Sequence, residues 1–155
     1  MLWEDAVSKA PQKFRPVSKL AEAYYMKGKM EKAETFYLKT LTLPVNPYFD
    51  DNRFRSANNL GIIYYERGDI KKSKEYFIKA HKYAPNVWET HQALAQFYYK
   101  TGDFKTAFSY IKSALNIEAR SETYFLLADM QKMMGDLRNS EINTKKGELL
   151  QQAGK

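Results

Sequence analysis

From residue 14 onward the apolar positions of this chain recur at i, i+3, i+4 and i+7, the spacing of one buried helical stripe. Val17, Leu20, Ala21 and Tyr24 form the first stripe and predict a helix over 14–27. Ala33, Phe36, Tyr37, Thr40 and Leu41 predict its partner over 30–43. The pair then returns. Ala57, Leu60, Gly61 and Tyr64 precede Ser73, Phe77 and Ala80 on a helix over 70–83. Trp88, His91, Leu94, Ala95 and Tyr98 precede Ala107, Ile111 and Ala114. Tyr124, Leu127, Ala128 and Gln131 precede a helix from Leu137 that carries Ser140, Thr144 and Gly147. Gly28-Lys29, Gly68-Asp69, Gly102-Asp103 and Gly135-Asp136 separate the partners, at spacings of 40, 34 and 33 residues. A period near 34 with two helices per unit marks a helical repeat array, because one pair cannot bury its apolar face alone.

Punctuation divides the chain into 1–11 (a half repeat), 14–52, 53–86, 87–120 and 121–155, all within one domain. Gly28 closes its helix as a residue able to take positive φ. Pro16 fits a first helical turn, where its missing N–H costs nothing. Ser121 is the expected N-cap of the seventh long helix. Pro44 and Pro47 forbid a helix through 44–52, so this stretch is a loop six residues longer than the repeat requires, and Tyr48 and Phe49 within it must pack somewhere. Gly61 sits mid-helix at a cost of about 1 kcal/mol against Ala, offset by close approach of two backbones. Ala6 and Pro11 copy the spacing of Ala80 and Pro85, so the chain opens in the second helix of a pair, as a piece of a longer protein would. Leu2 and Trp3 are then expected to be partly exposed or paired with another molecule. The polar Ser140, Thr144 and Gly147 make the last pair a capping repeat.

Composition changes this picture little. The chain lacks Cys, which excludes disulfides and thiolate metal sites. No run approaches the ~20 apolar residues of a membrane helix, and Glu4 and Asp5 stand where a signal peptide would be basic. These features favour a cytoplasmic location, with the parent protein free to be membrane-attached. The net charge is +7, and nine basic against five acidic residues fall between 51 and 100. Lys71, Lys72, Lys74, Lys79 and Lys82 crowd one helix, which reads as a solvated face. His81 and His91 lie on different helices, His91 at a packing position, and no HExxH, P-loop or GxSxG motif is present. No catalytic role, metal site or cofactor follows from these residues.

The elements Leu20-Ala21…Tyr24, Leu60-Gly61…Tyr64, Leu94-Ala95…Tyr98 and Leu127-Ala128, followed by Ala33, Ser73, Ala107 and Ser140, resemble the tetratricopeptide repeat (TPR). The departures are Gln131 at the Tyr position and Thr40 and Gly147 at the later Ala position. The resemblance implies an all-α, right-handed superhelix of antiparallel helix pairs. It also implies a concave groove, lined by the first helix of each pair, that binds a peptide or helix of a partner protein. By matching positions that groove is lined by Arg15, Ser18, Glu22 and Tyr25; by Arg55, Asn58, Asn59, Ile62 and Tyr65; by Glu89, Gln92, Gln96 and Tyr99; and by Glu122, Phe125, Asp129 and Lys132. Chaperone-binding members clamp a C-terminal carboxylate. Of the matching positions Ser18, Glu22, Asn59, Glu89 and Ala93, only Asn59 agrees, so a clamp is rejected. Arg15 and Arg55 fit a partner that is acidic toward its contact with the early repeats.

The expected function is a protein-interaction scaffold, not an enzyme. The alternatives are a regulatory or targeting segment of a larger enzyme, RNA binding, and self-association through Leu2 and Trp3. The first draws on the opening Leu2–Val7, which is similar to the start of TPR arrays on membrane glycosyltransferase-type proteins. Acids among the groove positions argue against RNA.

Overall fold

The computed structural model describes residues 2–11, 13–44 and 53–154. The expected loop 44–52, with Tyr48 and Phe49, lies almost wholly outside them. The described residues form nine helices: α1 (Leu2–Lys9), α2 (Phe14–Met26), α3 (Met30–Thr42), α4 (Arg53–Glu66), α5 (Ile70–Tyr83), α6 (Trp88–Lys100), α7 (Phe104–Ile117), α8 (Ser121–Met133) and α9 (Leu137–Ala153). They divide into two compact units, Met1–Ala84 and Pro85–Lys155. In the first unit α2 pairs with α3 and α4 with α5, while α1 packs on α2; in the second α6 pairs with α7 and α8 with α9.

Each pair is closed by the same local chemistry. Gly28, Gly68, Gly102 and Gly135 take φ values of +69°, +79°, +87° and +82°. That left-handed residue lets the next N–H reach back five residues: Lys29 to Tyr24 O, Asp69 to Tyr64 O, Asp103 to Tyr98 O and Asp136 to Gln131 O, each at 2.9 Å. The same acidic residue then opens the second helix. Asp69 accepts from Lys72 N at 3.0 Å, Asp103 from Thr106 N at 3.1 Å and Asp136 from Asn139 N at 3.3 Å. Lys29 makes no such cap. Ser121 is not the N-cap expected of it. Arg120 holds that position, and Ser121 is the first helical residue, its hydroxyl donating to Glu122 at 3.1 Å.

Inside each pair the predicted stripes are buried. On α2 the buried residues are Val17, Leu20, Ala21 and Tyr24; on α5, Ser73, Phe77 and Ala80; on α7, Ala107, Ile111 and Ala114. Phe36, Leu41, Trp88, His91, Tyr98, Tyr124, Gln131 and Thr144 are only half-buried. A Cβ at Gly61 would lie 2.9 Å from the Phe77 ring, so the absent side chain does permit the close approach. A second buried set was not anticipated: Ser56, Thr90 and Thr123, and Ile63, Phe97 and Met130. Both sets recur at 34 and 33 residues, giving the first helices a second buried flank.

Where the helices of a pair meet, residues twelve apart face one another. Tyr24 stacks on Phe36 with ring centroids 5.6 Å apart, Tyr64 on Tyr76 at 5.3 Å and Tyr98 on Tyr110 at 5.8 Å. In the last pair Gln131 and Asn143 stand at these positions, and Asn143 Nδ2 donates to Gln131 Oε1 at 2.8 Å. A hydrogen-bonded amide pair thus replaces a stacked aromatic pair. Ser140, Asn143 and Gly147 face inward on α9, and Thr144 and Glu148 stand where α7 has Ile111 and Leu115. Outward, Ile142 and Leu149 are 42% and 65% exposed. Polar residues thus reach into the packing side of α9, while the apolar Ile142 and Leu149 stand among exposed charged residues on its other side.

Candidate partner-binding faces

The groove positions predicted from sequence fall on one stripe of each first helix. Arg15, Glu22, Arg55, Gln96, Glu122, Asp129 and Lys132 are exposed, and Ser18, Tyr25, Asn58, Asn59, Ile62, Tyr65, Glu89, Gln92, Tyr99 and Phe125 are half-buried. None of them is fully buried.

Several of these side chains are engaged within the chain. In the first unit, Glu22 pairs with Lys19 at 2.6 Å and the Ser18 hydroxyl donates to Arg15 O at 3.1 Å. Asn59 Nδ2 donates to the hydroxyl of Tyr37 at 2.8 Å, linking α4 to α3 of the preceding pair. Burial, and then the charge of Glu22, push the Tyr37 hydroxyl well above the usual tyrosine range. Burial also raises Tyr25, with Glu66 adding to the effect. In the second unit, Gln92 Oε1 accepts from Thr123 Oγ1 at 2.6 Å, and Tyr99 packs on Phe104 with centroids 5.5 Å apart. Phe125 lies over Gly147, where a Cβ would come within 2.6 Å of its ring. Asn59, Gln92 and Phe125 thus join helices, a role that sequence position did not separate from partner contact. The partners that reveal it, Tyr37, Thr123 and Gly147, lie 22, 31 and 22 residues away.

A second kind of latch joins successive pairs of the first unit. The Tyr64 hydroxyl donates to Glu34 Oε1 at 2.5 Å, and Arg67 pairs with the other oxygen of that carboxylate. Desolvation works to raise the Glu34 carboxyl, but the bonds from Tyr64 and Arg67 outweigh it and hold the group below its ordinary value. Tyr24 makes a similar bond to Glu4 at 2.6 Å. At the N-terminal edge Leu2 is 78% exposed, whereas Trp3 is half-buried against the first unit's core. Both residues are thus at least partly exposed, Leu2 far more than Trp3.

Among the described residues no cluster of three or more His, Cys, Asp or Glu could hold a metal ion. The His91 ring is tied down by Nε2–H donating to Pro85 O at 2.8 Å. No described helix is long and apolar enough to cross a membrane.

The tetratricopeptide-repeat profiles match residues 15–86 and 89–120, which together make up more than half of the chain. The chain belongs to the tetratricopeptide repeat family. Its TPR fold is all-α, a solenoid of antiparallel helix pairs. BtubC (BKLC) from P. vanneervenii is similar in structure, with a TM-score of 0.79 at 20% identity over 98% of this chain and 71% of that one. MamA from Desulfovibrio magneticus RS-1 gives 0.73 at 14% identity over 97% and 82%. A chain of the APC/C hetero-tetramer Cut9-Hcn1 gives 0.79 at 15% identity, with 96% of this chain covering 29% of that one. At these identities the likeness is one of fold. No curated protein matches the chain in sequence.

Proposed function

We propose that this TPR array is a non-catalytic scaffold that holds a segment of a partner protein against the outward stripe of its first helices. The observation that carries the reading is that, within the first unit, Arg15 and Arg55 remain exposed on the same stripes as the half-buried Tyr25, Ile62 and Tyr65. Aromatic and apolar side chains ringed by charge are what a binding face needs: anchors for affinity and a polar rim for selectivity. Assembly of the fold neighbour Cut9 with Hcn1 supports protein partners as the class. The test is affinity capture from source-cell lysate by the wild type and by an Arg55→Glu/Tyr65→Ala double variant of unchanged helicity. Loss of a captured partner by at least tenfold, the scale of removing a binding hot spot, is expected. Equal capture by both proteins moves the binding face elsewhere.

A further inference from the structure

The densest charge of one sign lies on a second helix. α5 carries Lys71, Lys72, Lys74, Lys79 and Lys82 against a single acid, Glu75. The repeat does not require them. At the positions of Lys71, Lys74 and Lys82, α3 has Glu31, Glu34 and Thr42, and α7 has Lys105, Phe108 and Asn116. The arrangement works against the helix that bears it. Lys71 with Lys74, and Lys79 with Lys82, stand one turn apart and repel. The first turn has Lys71 and Lys72 and no acid, where the helix dipole favours anions. A face that served solubility alone would intersperse both signs. The order of the residues adds a second observation. Beside the buried Ser73, Phe77 and Ala80, a row of residues four apart runs the length of α5: Ile70, Lys74, Ile78 and Lys82. Ile70 is 42% exposed, Lys74 and Lys82 are exposed, and Ile78 is half-buried. Aliphatic side chain and cation thus alternate along one ridge at steps of about 6 Å.

We propose that this ridge of α5 receives an acidic amphipathic helix of a partner protein, one that alternates acid and aliphatic residue at four-residue steps. The surface is separate from the stripe of the first helices, and the proposal stands apart from the reading given for that stripe. Charge complementarity makes the occupant an anion. The interleaved Ile70 and Ile78 narrow its class. A bilayer takes up a helix whose apolar residues are gathered on one face, whereas here cations separate them. A nucleic acid has no aliphatic group to cover them. The rings on which its bases could stack are already occupied, with Lys72 5.0 Å from the Tyr64 centroid and Lys79 5.9 Å from that of Tyr76. An extended acidic segment would turn its N–H groups toward lysines, which have no acceptor. A helix satisfies its own main chain and presents side chains at the same four-residue step, so that its ridge can set acid against Lys74 and Lys82 and aliphatic carbon against Ile70 and Ile78.

The probe is a helical peptide of about 18 residues with Glu and Leu alternating at every fourth position and Ala and Gln elsewhere. Its binding to the whole chain is read by fluorescence anisotropy. It should bind about tenfold more tightly than a scrambled peptide of the same composition. Lys74→Glu/Lys82→Glu should weaken it by about tenfold. A peptide with Lys in place of each Glu should reverse the preference and bind that double variant rather than the wild type, which a misfolded variant could not do. Lys105→Glu/Lys112→Glu changes the net charge equally and should leave affinity unchanged. So should Arg55→Glu/Tyr65→Ala, which keeps failure here distinct from failure of the first-helix reading. Equal affinity for patterned and scrambled peptides, no saturable binding, or unchanged affinity in Lys74→Glu/Lys82→Glu overturns the proposal. Loss of binding in Arg55→Glu/Tyr65→Ala puts the peptide on the first helices and overturns it too. Tighter binding of acidic phospholipid vesicles or of single-stranded RNA, lost in Lys74→Glu/Lys82→Glu, gives the ridge to that ligand instead.

Discussion

Glu34 shows how much of one junction hangs on a single side chain. Its carboxylate accepts from Tyr64 and Arg67 and so ties α3 to α4. Because its folded pKa lies below the ordinary 4.5, folding favours the charged form. The stabilisation is therefore present above pH 4.5 and is lost as pH falls through the lower, folded value. Glu34→Gln should cost about 1–2 kcal/mol at neutral pH, and thermal melts between pH 7 and pH 3 should show the gap to wild type closing below pH 4.5. A gap independent of pH would assign the loss to packing. Gly61 is the opposite case, a residue whose value lies in what it lacks. Gly61→Ala gains about 1 kcal/mol of helix propensity but drives a Cβ into the buried Phe77 ring. A net loss of about 1–3 kcal/mol in denaturant titration is expected.

Among the elements, the helix pairs differ most at the positions twelve residues apart. Three pairs stack aromatic rings there, and α8–α9 uses Gln131 and Asn143. Gln131→Tyr/Asn143→Tyr together should stabilise that pair by about 0.5–1.5 kcal/mol. Each single change should destabilise it, since it strands one amide; thermal unfolding of all four proteins closes the cycle. The same comparison shows what was legible in the sequence. Four residues at i, i+3, i+4 and i+7 gave the buried face of α2 in full, because that face is a single stripe. On α4 and α6 a second flank is buried too, and Ser56, Thr90, Ile63 and Phe97 fall outside any single stripe. Only their recurrence from repeat to repeat could have marked them. The site was less legible. Stripe position picked out side chains that are exposed or half-buried, but not that Asn59, Gln92 and Phe125 are held by residues of other helices.

For the molecule as a whole, stability in a solenoid is close to a sum of terms for each repeat and each neighbouring interface. The bonds found here have that character: Asn59 reaches Tyr37 and Thr123 reaches Gln92, each one repeat away. A defect should therefore spread a short distance. In Gly61→Ala, amide hydrogen exchange should accelerate most in α4–α5, less in α2–α3, and least in α8–α9. Uniform acceleration along the chain would show that it unfolds as one cooperative body instead.

The stacked tyrosines carry a consequence for optical spectroscopy. Tyr64 with Tyr76 and Tyr98 with Tyr110 are nearly parallel, with interplanar angles of 9° and 3°. Chromophores held in that geometry couple their transitions, so each pair should contribute a near-ultraviolet circular dichroism band that disappears when its two helices separate. One such pair lies in each compact unit, whereas the amide bridge of α8–α9 absorbs nothing in that region. Tyr76→Leu and Tyr110→Leu would each delete one band, turning the native chain into a label-free reporter of which unit has opened.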